Sequence, residues 1–297
     1  MQDIGIVIVN WNTRDLLRHC LETVLASQNV SFRVVVVDNH SSDDSAAMVE
    51  HEFPGVELIA SEENEGYSLA NNRGLRLLGF DQPVQEDAPR YALTLNPDTE
   101  LPPDALSNMV TYMDGNPDVG AVGPKLVMLD GSLDLACRRS FPTPMVSFYR
   151  ISGLSKAFPK SPRFGQYNLT YLDPDVETEV DSVVGAFMMI RKEVIDQVGL
   201  LNEKFFMYGE DLDWAYRIKQ AGWRIMYHPA VQVLHVKRAA SKQSKRAQQE
   251  FHRASLMFYR MHYRQQTSLP MHLLVIAGLM MRGGKRVWQE VWHPSHL

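Results

Sequence analysis

Carboxylates and one imidazole stand where apolar runs of this chain stop. Asp38 follows residues 33–37, Asp98 follows Tyr91–Leu95, Glu210-Asp211 follows the aromatic stretch 205–208, and His235 closes 231–235. A carboxylate at a strand tip can accept the imide N–H of a uracil or thymine ring; equally, Asp38 or Asn39 can simply begin the next turn. Pro97 stiffens the turn that presents Asp98. One carboxylate can hold Mg²⁺ or Mn²⁺ when diphosphate oxygens and water complete the octahedron. The competing use of Asn96-Pro97-Asp98 is helix capping ahead of Pro102. His235 is a metal-ligand type, although a lone histidine more often serves structure. Glu210 and Asp211 open a helix, with Asp213 two residues on. Adjacent acids there are favourable partners of the helix dipole. Alternatively, one faces a cleft as a base while Phe205, Phe206 and Tyr208 supply apolar walls that raise its pKa.

The elements that must position these groups alternate in type. Residues 4–9 form a β-branched run, as expected of a strand buried on both faces. An amphipathic helix over 14–27 follows, with Leu16, Leu17, Cys20, Leu21 and Val24 on its apolar side. Further strands are expected at 33–37, 56–60 and Tyr91–Leu95, with helices at Ser45–Glu52 and 68–78. Strand–helix–strand repetition with short connections implies a parallel sheet covered on both faces, with ligands beyond the carboxyl ends of its strands. The polar clusters Asn10-Trp11-Asn12, Asp38-Asn39, Asn64-Glu65-Gly66 and Asn96-Pro97-Asp98 fall at those ends. Residues 131–179 read as a long excursion over that edge. Beyond it come a strand at 183–190, the helix Lys192–Val198, a helix from the acid pair towards Gly222, short strands at 223–227 and 231–235, and a helix over 247–263.

Length and composition bound the reading. The chain has 297 residues, 45% hydrophobic and 22% charged, with a formal charge of −5. That charge is uneven. Residues 237–286 hold eleven Lys or Arg against one acid, Glu250, while the remainder holds nineteen against thirty-four. A basic tail on an acidic body suggests contact with anionic lipid or phosphates, the alternative being a solvated helix face. Cys20 and Cys137 show no metal-ligand spacing, which favours a reduced, cytoplasmic setting. The run 4–9 lacks a basic leader and is too short for a secretory signal. Residues 269–281, interrupted by Pro270 and His272, suit a membrane interface but not a crossing. No nucleic-acid-binding motif is present.

Taken in order, the motifs Val-Asn-Trp-Asn at 9–12, Val-Asp-Asn-His-Ser-Ser-Asp at 37–43, Asn64-Glu65-Gly66, Asn71-Asn72-Arg73-Gly74 and Leu-Asn-Pro-Asp at 95–98 resemble one family. Val-Gly-Ala at 184–186, Phe-Phe-Met-Tyr-Gly-Glu-Asp-Leu-Asp-Trp at 205–214 and His235 extend the likeness. The chain resembles the inverting, GT-A-fold glycosyltransferases of family 2, especially their bacterial rhamnosyltransferase-like branch, over roughly residues 3–240. The resemblance implies an α/β, Rossmann-like, mixed and mainly parallel sheet flanked by helices. The corresponding division is a GT-A domain over 1–240 and a basic, amphipathic helical extension over 241–297.

By the same resemblance, Asp38 contacts the pyrimidine, and Asn10 and Asn12 line the nucleoside pocket with Asn39 beside them. Asn64, Gly66 and Asn72 lie near the ribose and diphosphate. Asp98 and His235 hold Mg²⁺ or Mn²⁺, and Asn96 stands where the family's commonest metal motif has its first acid. Asp211 is the general base, with Glu210 orienting it or binding acceptor. Arg138 and Arg139 match a basic pair of this branch that contacts donor phosphate or acceptor, a surface role being the alternative. The implied donor is dTDP-L-rhamnose, with UDP-sugars second. The implied acceptor is a glycan or polyprenyl-linked glycan at the inner face of the cell membrane, met peripherally through the tail. A catalytically inactive nucleotide-sugar-binding protein could keep the same pocket, but binding alone does not require a base. A nucleotidyltransferase would show a Gly- and Lys/Arg-rich loop after the first strand, where this chain has Asn10-Trp11-Asn12-Thr13.

Overall fold

The computed structural model describes residues 2–81, 88–236 and 245–294, with the backbone alone at 245 and 246. Four parallel strands form one half of a single sheet: β1 (Ile4–Asn10), β2 (Phe32–Asp38), β3 (Glu57–Ala60) and β4 (Tyr91–Leu95). Ile4, Ile6, Val7 and Ile8 of β1 are fully buried, as are Val35, Val36 and Val37 of β2, because helices cover both faces. The other half holds β5 (Thr99–Glu100), β6 (Val119–Val127), β7 (Thr178–Glu179), β8 (Phe187–Arg191) and β9 (Arg224–His235). The order is β3-β2-β1-β4-β8-β6-β9-β5, with β7 pairing β9. β8 runs antiparallel to both β4 and β6, whereas β6 and β9 are parallel.

This order places the working edge. The chain winds from β1 to β2 and β3 on one side and returns to β4 on the other, so the crossovers diverge between β1 and β4. Such a switch point opens a crevice at the carboxyl ends of the strands. Asn10, Asp38 and Leu95 end there. The antiparallel β8 begins there, with Phe187 opposite Leu95, and the end of β9 arrives with His235 opposite Thr99.

Helices α1 (Arg14–Leu25), α2 (Ser45–Glu52) and α3 (Tyr67–Leu77) follow the first three strands, and α4 (Ala105–Gly115) precedes β6. Leu17, Cys20, Leu21 and Val24 of α1 are buried, which is the apolar face its spacing requires. α3 lies very close to the sheet: a Cβ at Gly74 would meet Val7 at 2.6 Å, so no larger residue fits without movement. The two short strands expected near the end are one, β9. Its register against β6 jumps from His228 to Gln232, because Pro229 offers no N–H to the ladder. The strand expected at 183–190 begins only at Phe187, since residues 182–185 carry rim contacts instead. Within 131–179 stand a 3₁₀ turn at Leu135–Cys137 and the helices α5 (Pro144–Ile151) and α6 (Leu154–Ala157).

α7 (Lys192–Val198) leads by way of a loop to α8 (Glu210–Gln220), and the chain finishes with α9 (Lys245–His262) and α10 (Leu269–Trp292). One side of α9 packs Ala254, Met257 and Phe258 against Phe205 and Leu212. The other side sets Leu256 and Tyr259 against Leu279 and Val287 of α10. α9 is therefore wedged between the body and the last helix. The tail's charge is also not all turned outward: Arg253 bonds Glu250 and Glu290, Arg286 pairs with Glu250, and Arg260 donates to the Glu290 carbonyl at 2.7 Å. The boundary expected at 240, together with Lys237, Arg238 and Lys242, lies outside the described residues.

Candidate active site

At the β1–β2 corner the register sets Asn10 beside Asp38, and the Asn10 amide donates to Asp38 Oδ2 at 2.9 Å. Asp38 Oδ1 accepts from the Ser41 N–H, so the carboxylate also shapes its own turn. Each oxygen takes one bond, and an ionised carboxylate has about four lone-pair sites. Capacity for an outside N–H remains. Asn12, in a left-handed conformation (φ 53), accepts from Ser42, while Trp11 beside it is 53% exposed at the rim. The last residue of the 37–43 motif, Asp43, closes this turn. Asp43 accepts from the first N–H of α1 at 2.8 Å and from Ser45 at the start of α2, joining two helix starts to one rim.

Asn39 ties this corner to the next. Its amide donates to the Gly66 carbonyl at 2.9 Å and to Asn64 Oδ1 at 3.2 Å, and its own side-chain oxygen accepts from Glu65. Gly66 has φ +84, and a Cβ there would stand 2.4 Å from the Phe206 carbonyl. Only glycine meets both demands. Asn72 lies deeper than the ribose-facing position implied for it. At 1% exposure it donates to the Leu201 carbonyl and Glu203 and accepts from the Leu201 N–H, so it clamps the segment leading to Phe205 and Phe206.

Two acidic centres form on this edge. At the first, His235 lies between two carboxylates: Nε2 is 3.2 Å from Asp98 and Nδ1 is 2.9 Å from Asp134. Burial works against charge on His235, but the hydrogen bonds to Asp134 and Asp98 outweigh it and push its pKa up to about 9. Asp134 was not among the expected site residues. It lies in the irregular stretch before the 3₁₀ turn, where no periodicity marks it. The donor set suits a hard divalent cation, with a carboxylate oxygen and an imidazole nitrogen side by side. A second carboxylate on the far ring nitrogen would fix the ring as metal-ligating histidines are commonly fixed. Among the described residues no group of three His, Cys, Asp or Glu forms a complete cage. Asp98 and His235 by themselves would leave most of the coordination shell of such a cation to other oxygens.

The second centre is the acid pair at the start of α8. Asp211 Oδ2 accepts from Arg139 at 2.7 Å and from the Gly185 N–H at 3.2 Å, and Oδ1 accepts from the Leu212 N–H. Arg139 is itself buried, and the same nitrogen donates to Ser182 Oγ and the Val183 carbonyl. Neither arginine of the expected basic pair is a surface group. Arg138, 2% exposed, spends its guanidinium on the Leu172 and Asp173 carbonyls and holds the excursion down. Glu210 is different. Its Oε2 is buried and finds no hydrogen-bond partner, and burial together with the Asp211 charge pushes its pKa up to about 8.

A pH dependence of stability follows. The folded-state pKa of Glu210 lies above the ordinary 4.5, so the folded protein holds this proton more tightly than the unfolded chain. The contribution is fully present below about pH 4.5 and is lost as pH rises through about 8. Glu210→Gln removes the titration. Relative to wild type, its melting temperature is expected to gain steadily between these limits. A constant difference across that range would contradict the assignment.

Tyr67 joins the two centres. Its hydroxyl donates to the Gly185 carbonyl at 2.9 Å and lies 3.4 Å from the Asn96 side-chain oxygen, while the N–H of Gly185 reaches Asp211. The turn bearing Asp98 and the acid pair are thus separated by one phenol and one residue, Gly185. The sequence carried no signal for Tyr67 beyond its place at the start of α3.

Comparison with known proteins agrees with the fold. The profile of the family described as "Glycosyltransferase like family 2" matches residues 2–252, which extends into α9. The N-acetylglucosaminyl-diphospho-decaprenol L-rhamnosyltransferase of Mycobacterium tuberculosis is 27% identical over 239 residues, covering 79% of this chain and 76% of that one. The rhamnosyltransferase WbbL of Escherichia coli is 25% identical over 235 residues, covering 78% and 83%. Among solved structures, a mannosyltransferase from Pyrobaculum calidifontis in complex with GDP-Man and Mn²⁺ is similar in fold. Its TM-score is 0.55 at 17% identity, over 98% of this chain and 81% of that chain.

Proposed function

Because this chain belongs to glycosyltransferase-like family 2, we propose that it transfers L-rhamnose from dTDP-L-rhamnose, with inversion, to a hydroxyl of a lipid-linked glycan. Glycosyl transfer is the family's activity. The sugar and the acceptor class are supported by the two rhamnosyltransferase relatives, one of which is named for a polyprenyl-diphosphate acceptor. One observation carries the reading of the site: the turn that bears Asp98 of the metal-type pair is linked to the buried acid pair through Tyr67 and Gly185.

The thymine ring stacks into the corner of Asn10, Asn12, Asp38 and Asn39, with Asp38 accepting its imide N–H. Asn64 and Gly66 border the ribose and diphosphate, and Asn72 holds the segment that walls this pocket. Asn96 and Asp98 face the diphosphate. A divalent cation, Mg²⁺ or Mn²⁺, held by Asp98 and His235, would neutralise charge on the leaving diphosphate. The acceptor oxygen attacks the anomeric carbon from the face opposite the diphosphate. As the new C–O bond forms, the old one breaks and its electron pair leaves with the diphosphate. Asp211 takes the acceptor proton, and Arg139 holds that carboxylate in place.

A second assignment within the same reaction has an observation of its own. The unpartnered Oε2 and raised pKa of Glu210 suit a group that takes up a proton, whereas the Asp211 carboxylate is engaged by a guanidinium.

The donor is tested by thermal shift with dTDP-L-rhamnose, UDP-glucose and UDP-N-acetylglucosamine, each with and without Mn²⁺. At a concentration about 100 times its dissociation constant, the preferred donor stabilises by about 2.7 kcal/mol. The largest shift is expected from dTDP-L-rhamnose with Mn²⁺. A larger shift from either UDP-sugar would replace it as donor.

We also place the protein peripherally on the inner face of the cell membrane. No described helix is long and apolar enough to cross a bilayer. Along α10, however, Leu269, Leu273, Leu274, Met281, Trp288 and Trp292 are exposed, and tryptophan favours the membrane–water interface. Wild type is expected to float with phosphatidylglycerol vesicles, and Trp288→Ser with Trp292→Ser to float several-fold less. Equal flotation of both would remove α10 as the contact.

A further inference from the structure

Between α5, the start of α8, α9 and α10 lies a cavity of about 650 Å³. Folded interiors leave few voids larger than a water molecule, and ligand pockets commonly span about 300–1,000 Å³. This space is of the second kind. Phe148, Leu212, Phe258, Leu274 and Leu279 make its walls apolar. At its mouth Met145, Phe148, Leu274 and Met281 are each at least 41% exposed, so the lining runs out onto the exposed surface of α5 and α10. At the other end Tyr208, Gly209 and Leu212 belong to the wall, and these residues flank Glu210 and Asp211 on both sides.

The wall also carries two guanidinium groups and an imidazole. Arg150, His252 and Arg282 all line it. The Arg150 guanidinium lies 4.3 Å over the Tyr167 ring, and Arg282 donates to the Ile151 carbonyl. Among the described residues no carboxylate pairs with either. Burial, and then the two guanidinium charges, hold His252 below its ordinary pKa, which places the three groups within electrostatic reach of one another. Unpaired cations beside a long apolar space match a ligand with an anionic head and a hydrocarbon tail.

We propose that this cavity holds the isoprenoid tail of the acceptor, with its diphosphate against Arg150, His252 and Arg282 and its sugar end directed towards the acid pair. This rests on the reading that the acceptor is lipid-linked. It adds a specific seat for the tail inside the protein, where membrane contact alone would leave the tail in the bilayer. It also accounts for the place of α9 and α10: they supply the wall opposite α5, which the sheet domain cannot supply itself.

Isothermal titration of the full chain with inorganic pyrophosphate, geranyl diphosphate and farnesyl diphosphate tests the seat without requiring turnover. Each added isoprene unit buries more hydrocarbon, so affinity is expected to rise on the order of tenfold or more from the ten-carbon to the fifteen-carbon compound. Gly278 lines the cavity, and a Cβ there meets nothing within 4 Å. Gly278→Trp is therefore expected to fill the space with no loss of melting temperature and to weaken farnesyl diphosphate binding on the order of tenfold or more. Equal affinity for all three compounds would overturn the proposal, as would wild-type affinity in Gly278→Trp or equally tight binding of lysophosphatidylglycerol. Transfer assays with lipid-linked and lipid-free acceptor sugars separate the two claims. If wild type and Gly278→Trp both prefer the lipid-linked form equally, the cavity is not the seat but the acceptor class stands. If wild type shows no preference, the acceptor class itself falls.

Discussion

Asp211→Asn is expected to lower sugar transfer by roughly 10²–10⁴-fold while leaving nucleotide-sugar binding within a few-fold of wild type. The range is that of a general base, and the asymmetry follows from position. Asp211 lies at the head of α8 and touches Arg139, Gly185 and Leu212, whereas the corner proposed to take the nucleotide is built by Asn10, Asp38 and Asn39. The amide keeps the shape but cannot accept the acceptor proton. It also leaves the Arg139 charge buried without its partner, a change that costs about 3–5 kcal/mol where no other acceptor is at hand. Here Ser182 Oγ and the Val183 carbonyl still accept from the same nitrogen, so a smaller loss is expected. Steady-state kinetics, nucleotide titration and a melting curve on one preparation separate these effects. Glu210→Gln completes the comparison. If it loses more turnover than Asp211→Asn, Glu210 is the base and Asp211 its electrostatic partner. Normal activity in Asp211→Asn would end the first assignment outright.

The second large effect is expected at the other acidic centre. Asp98→Asn and His235→Ala each remove a proposed ligand, and each is expected to abolish Mn²⁺-dependent stabilisation by the nucleotide sugar and to lower transfer at least 10²-fold. Asp134→Asn is the more discriminating variant. Asp134 faces the ring nitrogen of His235 remote from Asp98, so in the proposed site it would orient the ring and not hold the cation itself. Losing a carboxylate that orients a metal-ligating histidine costs about 10–100-fold in metal affinity. Mn²⁺ titration in the presence of dTDP, read by paramagnetic resonance, measures this without turnover. Wild-type affinity in Asp134→Asn would make that carboxylate a structural neighbour only.

Much of the sheet was legible in the sequence. Residues 4–9 are a continuous, mainly β-branched run, Tyr91–Leu95 is mostly apolar, and α2, β4 and α7 start and stop where the turn residues beside them require. The collection of polar clusters on one rim followed from the same pattern, because successive parallel strands must end on the same side. Asp98 and His235 could be paired only through the family resemblance, and β9 pairing β5 is what makes them neighbours. Asp134, Tyr67 and Arg139 were beyond reach of periodicity. Each acts on a partner far along the chain, at separations of 101, 118 and 72 residues for His235, Gly185 and Asp211.

The chain by itself therefore determined which local elements form, which face of each is buried, and that carboxylates end up at strand tips, since these depend on side-chain type and on periods of two and 3.6 residues. Tertiary structure alone decided which carboxylate is paired with an arginine, which has a buried oxygen left without a partner, and that the basic tail folds back to close an apolar cavity. Those outcomes depend on burial and on charges meeting across the fold, and no local pattern encodes either.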